Sequence, residues 1–228
     1  MSGDPVIGLV IATMLEAEPF INGFSLTECE TDPFIVYGKD RLYLIISGIG
    51  KTNAAMACSY LIQRYHPICL CNAGAAGAVS ASYRLGERFH ITKVIEPDRP
   101  ELKTGVYHTH IPDVIDGFPT AIMATQDRPV RDRKEKDRIA PDAQLVDMEG
   151  ASVVQVSRHF YTKCYLFKFV SDTPDHDTSD DIKTNIMLCR DSFFHFFHDK
   201  VLPRLTKQGD HQIHGLTKTS STQYEGQK

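Results

Sequence analysis

The sequence predicts a single α/β domain, and three observations predict it. Short apolar runs recur along the chain, segments of helical spacing lie between several of them, and 228 residues suffice for one such domain with a full core. Strands alternating with helices imply a largely parallel sheet covered on both faces. The domain is expected over residues 1–206. From Lys207 the chain turns polar and aperiodic, so 207–228 is expected as a flexible tail.

The apolar runs are residues 6–12, 42–47, 68–72, 89–95, 120–124 and 164–170, all of strand length. Ala54, Ala55, Ala57, Cys58, Leu61 and Ile62 set the apolar face of a helix over 51–65, closed by His66-Pro67. Ala151, Val153, Val154, Val156 and Phe160 do the same between Glu149 and Tyr161. A last helix is expected from Ser179, read as its N-cap before Asp180 and Asp181, toward Leu205. Within it Phe193, Phe194, Phe196 and Phe197 read as core and subunit contact.

Composition narrows the function. A hydrophobic share of 42%, a charged share of 24% and a net charge of -4 suit a globular protein and argue against a nucleic-acid partner. Residues 6–12 are too short to cross a bilayer, and no basic segment precedes them, so neither membrane span nor secretory signal is expected. Cys29, Cys58, Cys69, Cys71, Cys164 and Cys189 lie mostly in apolar stretches and read as reduced thiols of a cytoplasmic protein. Cys69 and Cys71 are read as pointing to opposite faces of a strand, which would keep them from sharing a metal. His108, His110, His195 and His198 lack further ligands at a closing spacing, so no metal and no cofactor is expected. The run 127–142, with Arg128, Arg131, Arg133, Lys134, Lys136 and Arg138 balanced by acids, reads as a solvated surface.

Two acidic sites stand at element edges. Asp147-Met148-Glu149 opens a helical stretch, and Gly150-Ala151 lets that helix pack closely on what lies beneath. The run 164–170 stops at Ser171-Asp172-Thr173-Pro174. Open α/β sheets place their chemistry where strands stop and loops begin, although Asp172 can equally cap a turn before Pro174. Gly48-Ile49-Gly50-Lys51-Thr52 ends like a phosphate-binding P-loop, but the glycine required five positions before Gly50 is Ile45. It reads instead as a sharp strand-to-helix turn with amides free for a polar or anionic ligand group. Asn72-Ala73-Gly74-Ala75-Ala76-Gly77-Ala78 reads as a second backbone-exposing loop, on which a flat ligand can lie.

Residues 8–20, 47–55, 72–77, 146–151 and 170–172, in this order, resemble the nucleoside phosphorylase superfamily, most closely its 5′-methylthioadenosine/S-adenosylhomocysteine nucleosidase branch. The resemblance implies a mixed twisted sheet flanked by helices, a purine nucleoside as substrate and a homodimer with a partner loop closing the pocket. It also implies that Glu16 is the water-activating base, with Glu18 the alternative, and that Glu149 grips ribose hydroxyls beside Met148. Asp172, oriented by Ser171, would engage the purine at N7. Ala75, Ala76, Gly77, Ile49 and Val130 would line the substrate, with Pro129 and Val130 where purine-contacting backbone lies.

N-ribosyl cleavage needs such acids. An oxocarbenium-like sugar forms while charge collects on the departing base, so one acid neutralises the base and one carboxylate activates water, by analogy with glycosidases. Phosphorolysis would need an anion site. The glycine segments hold no arginine and only Lys51 as a cation, which favours water. Ala75 replaces a serine common in the branch, and 98–118 and 125–130 resemble it poorly, so the 5′ substituent stays open and futalosine is an alternative substrate. A phosphate-dependent phosphorylase and a nucleoside-binding protein without catalysis are the remaining alternatives.

Overall fold

In the computed structural model, which describes residues 5–174 and 178–206, ten strands form one mixed sheet. The strands β1 (Ile7–Ile11), β4 (Leu42–Ile46) and β5 (Cys69–Ala78) run parallel at its centre, with β1 between the other two. All five residues of β1 are buried, as expected of a strand covered on both faces. The edge beyond β4 is an antiparallel extension of β3 (Val36–Lys39) and β2 (Thr27–Glu30).

On the other side the sheet closes on itself. β5 pairs in parallel with β10 (Lys163–Asp172), and β10 pairs antiparallel with β6 (Arg88–Pro100). β6 then pairs with β8 (Thr120–Thr125), β8 with the short β9 (Leu145–Asp147), and β9 back with β5. β7 (Tyr107–His110) attaches to β6. The five-strand ring brings the ends of β5, β9 and β10 together, and β9 and β10 end on Asp147 and Asp172.

Two helix pairs cover the sheet. α2 (Lys51–Tyr65) and α4 (Gly150–His159) bury Ala54, Ala57, Cys58, Leu61, Val153 and Val154 against Val10, Leu70 and Leu166. α1 (Met14–Phe24) and α5 (Ser179–Phe196), which continues into a π-helical turn at Phe197–Val201, cover the opposite face. There Phe20 meets Phe194 and Phe197 edge-on, with centroids 5.4 and 5.3 Å apart. The four phenylalanines of this helix end therefore serve the core: Phe193, Phe194 and Phe197 are buried.

Several expectations change. Cys69 and Cys71 stand two apart on a strand and so share one face, both in the cluster with Ala73 and Phe167. Residues 72–78 are not a loop but the second half of β5. The run 127–142 is only partly solvated: it contains α3 (Arg133–Ile139), in which Glu135 and Lys136 are buried. Thr178, not Ser179, caps α5, its hydroxyl accepting the Asp181 amide. The expected tail 207–228 lies outside the described residues. No helix among the described residues is long and apolar enough to cross a membrane.

Candidate active site

The first acidic residue is placed by a helix cap. β1 ends at Ile11, and Thr13 becomes the N-cap of α1, its Oγ1 accepting the Glu16 amide at 3.3 Å. The same hydroxyl donates to Glu16 Oε2 at 2.6 Å, and the Ala75 amide donates to Oε1 at 2.8 Å. A β-carbon at Gly74 would come within 2.7 Å of Oε1, so the glycine makes room for the carboxylate.

Asp172 is the last residue of β10, just past a register break that follows Val170. The Ser171 hydroxyl donates to its Oδ1 at 2.8 Å. At Gly77 a β-carbon would lie 2.6 Å from Asp172 Oδ2. Two glycines three positions apart on β5, a rise of roughly 10 Å, thus seat two different carboxylates.

Glu149 is the N-cap of α4, two residues beyond the end of β9, and accepts the Gly50 amide at 2.8 Å. Gly150 lets this helix start sit down on the sheet, since a β-carbon there would reach Met123 Cε at 2.4 Å. Burial and the neighbouring Asp147 carboxylate push the Glu149 carboxyl up to about 7, against the pull of Lys168 and the Gly50 amide. Beneath it Lys168 Nζ lies 3.0 Å from Asp147 Oδ2, with the two side chains 2% and 1% exposed. Thr125 Oγ1 and the Gly150 amide also donate to Asp147, at 2.5 and 2.9 Å. Burial by itself would lower the Lys168 ammonium, but Asp147, Glu149 and Glu16 together hold it above its ordinary value.

These parts open into one cleft of about 230 Å³. Glu16, Asp172, Met148, Glu149, Ser171, Ala75, Ala76, Gly77, Ile49 and Val130 all line it. Glu18, the alternative base, does not: it faces outward and pairs with Arg190 at 2.6 Å. The sequence reading missed Thr13, Lys168, Arg131 and the α5 residues Ile182 and Ile186, all of which except Lys168 also line the cleft. A threonine two residues after a buried strand and three before a glutamate was a visible capping signal for the first. Nothing local marked the rest.

The amides at the start of α2 are not free for a ligand. Gly50 donates to Glu149, and the Lys51 amide donates to Asp127 Oδ1 at 3.3 Å, so the chain's own carboxylates occupy the anion position. Gly48 and Gly50, at φ 80 and 104°, make the sharp turn that an L side chain would strain. Arg131 supplies the cleft with an arginine from a different loop than the glycine segments. Among the described residues no group of three or more His, Cys, Asp or Glu side chains could hold a metal.

A closed mixed sheet flanked by helices, with carboxylates gathered at its strand ends, places the chain in a family: it belongs to the phosphorylase superfamily, whose sequence profile matches residues 6–118 and 117–206. Among individual relatives, it is 27% identical over 161 residues to a 5′-methylthioadenosine/S-adenosylhomocysteine nucleosidase of Geobacillus thermodenitrificans, covering 60% of this chain and 68% of that one. Its fold matches the 5′-methylthioadenosine nucleosidase of Arabidopsis thaliana with a TM-score of 0.75 and 23% identity, over 84% of this chain and 92% of that one. It matches the futalosine hydrolase of Helicobacter pylori equally well, with a TM-score of 0.75, 16% identity and coverage of 85% and 96%.

Proposed function

We propose that the chain is a purine nucleosidase that hydrolyses the N-ribosyl bond of a 5′-substituted adenosine such as methylthioadenosine or S-adenosylhomocysteine. The observation that carries this reading is the convergence of Glu16, Glu149 and Asp172 on one cleft, each carboxylate oriented by its own donor. The naming of the relative at 27% identity supports the substrate.

In this reading Asp172 shares a proton with N7 of the departing purine, and the Ser171 hydroxyl fixes the carboxyl in register. The base then leaves without building full negative charge. Glu16 takes a proton from water on the other side of the sugar, its orientation fixed by Thr13 and Ala75. Glu149 accepts hydrogen bonds from the ribose hydroxyls, which holds the anomeric carbon between the two other acids. The flat backbone of Ala75, Ala76 and Gly77 and the side chains of Met148 and Val130 bound the nucleoside.

Water suits the cleft better than phosphate. Four carboxylates, of Glu16, Asp147, Glu149 and Asp172, line it against the single arginine Arg131, so an anionic nucleophile would meet repulsion next to Glu16. A neutral water needs a base, and Glu16 is placed as one. Futalosine is the second substrate to test, because its hydrolase from Helicobacter pylori shares the fold equally well and Ala75 leaves the ribose without a serine hydroxyl. A cytoplasmic homodimer belongs to the same reading: Ile49 and Met56, 54% and 50% exposed beside and on the first turns of α2, are apolar side chains a second subunit would cover. Incubation with methylthioadenosine, S-adenosylhomocysteine, futalosine and inosine, with free base followed by chromatography, tests the proposal. Release of free base without added phosphate is expected; binding of all four without release would make the protein a nucleoside sensor.

A further inference from the structure

The lysine of the failed P-loop motif has a different task. Lys51 is the first residue of α2, directly after the Gly50 whose amide holds Glu149. Its side chain is 13% exposed, and its ammonium gathers three carboxylates from two other parts of the chain. Asp98 on β6 lies at 2.9 Å, Glu96 on the same strand at 3.2 Å, and Asp127 in the loop after β8 at 3.7 Å. Backbone bonds close the figure. The Lys51 amide donates to Asp127 Oδ1 at 3.3 Å, and the Asp127 amide donates to Asp98 Oδ2 at 2.8 Å. His110 on β7 binds the other oxygen of Glu96 at 2.8 Å, and Arg99 approaches it at 3.6 Å.

We propose that Lys51 is a positioning residue that locks the Gly50 amide against Glu149 and, through Asp98 and Asp127, fixes the loop whose Pro129, Val130 and Arg131 form a wall of the cleft. Both structures it joins border the cleft of the proposed nucleoside, and the Lys51 cluster adds to the bonds that already run from Thr125 and Gln126 to Asp147 and Ala151. Burial alone would raise the Glu96 carboxyl, yet His110 and Lys51 hold it at about 2, so Glu96 stays a carboxylate partner for Lys51 near neutral pH. A lysine that cradles phosphate in other proteins is here consumed by internal carboxylates.

The inference rests on the nucleosidase reading for its kinetic test, and amide exchange tests it separately. Lys51→Met should raise KM for methylthioadenosine about tenfold while kcat stays within about threefold, with Lys51→Arg close to wild type. The acid limb of kcat/KM should move to higher pH, because Glu149 loses the Gly50 donor while Asp147, Lys168 and Glu16 still face it. Hydrogen exchange should quicken in peptides covering 48–53 and 126–131 and stay unchanged in α5. Asp127→Ala, an exposed change that spares buried Glu96, should shift KM and exchange the same way by about threefold, and decides the matter if Lys51→Met does not fold. Unchanged KM, pH profile and exchange in these variants would overturn the brace. Should the wild type cleave no nucleoside, the proposed function fails and exchange alone judges Lys51.

Discussion

Glu16 and Glu149 face the same cleft and are held in opposite ways. Glu16 rests on two neutral donors, the Thr13 hydroxyl and the Ala75 amide, neither of which titrates near neutrality. Glu149 has one neutral donor, Gly50, and otherwise sits above a buried ion pair, next to the Asp147 carboxylate and within reach of the Lys168 ammonium. The first arrangement fixes geometry through local hydrogen bonds. The second sets a charge through a network, so its state depends on pH and on residues that never touch the substrate. In the proposed reading, one fold thus separates a positioned base from a tunable sugar clamp.

The largest expected effect lies outside that pair and sets the scale for it. Asp172→Asn removes the proton shared with the base and should cut kcat by about 10²–10⁴, with the thermal midpoint held, as read by steady-state kinetics and calorimetry. Breaking the charged arrangement should show in stability. Lys168→Met leaves Asp147 buried without its ammonium partner, and urea unfolding should report a loss of about 3–5 kcal/mol. Breaking the neutral arrangement should cost less: Thr13→Ala removes a helix cap and one donor to Glu16, worth about 1 kcal/mol in unfolding.

The pH profile sharpens the contrast. If Glu149 binds ribose hydroxyls as a carboxylate, as proposed, substrate affinity should fall as pH drops through about 7. The sign for stability is the reverse. A carboxyl raised from 4.5 to about 7 favours the folded protein below 4.5 and loses that contribution as pH rises through 7. Glu149→Gln should therefore be more stable than wild type at pH 8 while binding nucleoside worse. Asp147→Asn should move the affinity limb to lower pH, and an unmoved limb would detach Glu149 from the network.

How far the sequence reveals all this follows the same division. The strand that ends at Asp172 was legible, because an apolar run announces a buried strand, but position alone left that acid equally able to cap a turn. Residues 51–65 emerge as α2 without change, their alanine face fixing the period. The closure of β5, β10, β6, β8 and β9 into a ring was not legible, since β9 has three residues and no periodic signal at all. Lys168 was hidden too: nothing in the apolar run 164–170 marks its partner, and only the fold places Asp147 opposite it. Glu135 misled in the same way, a charge in a charged run that turns inward to take Arg128 at 2.8 and 2.6 Å. A charged residue that turns inward carries no mark in the local pattern.

The convergence of three carboxylates on one N-ribosyl bond is tested most directly by following the products of methylthioadenosine in phosphate-free buffer, for the wild type and for Glu16→Gln side by side. The account predicts free adenine and free methylthioribose from the wild type, with a rate reduced about 10²–10⁴-fold in the variant. Methylthioribose 1-phosphate formed only when phosphate is added, or a variant as fast as the wild type, would contradict it.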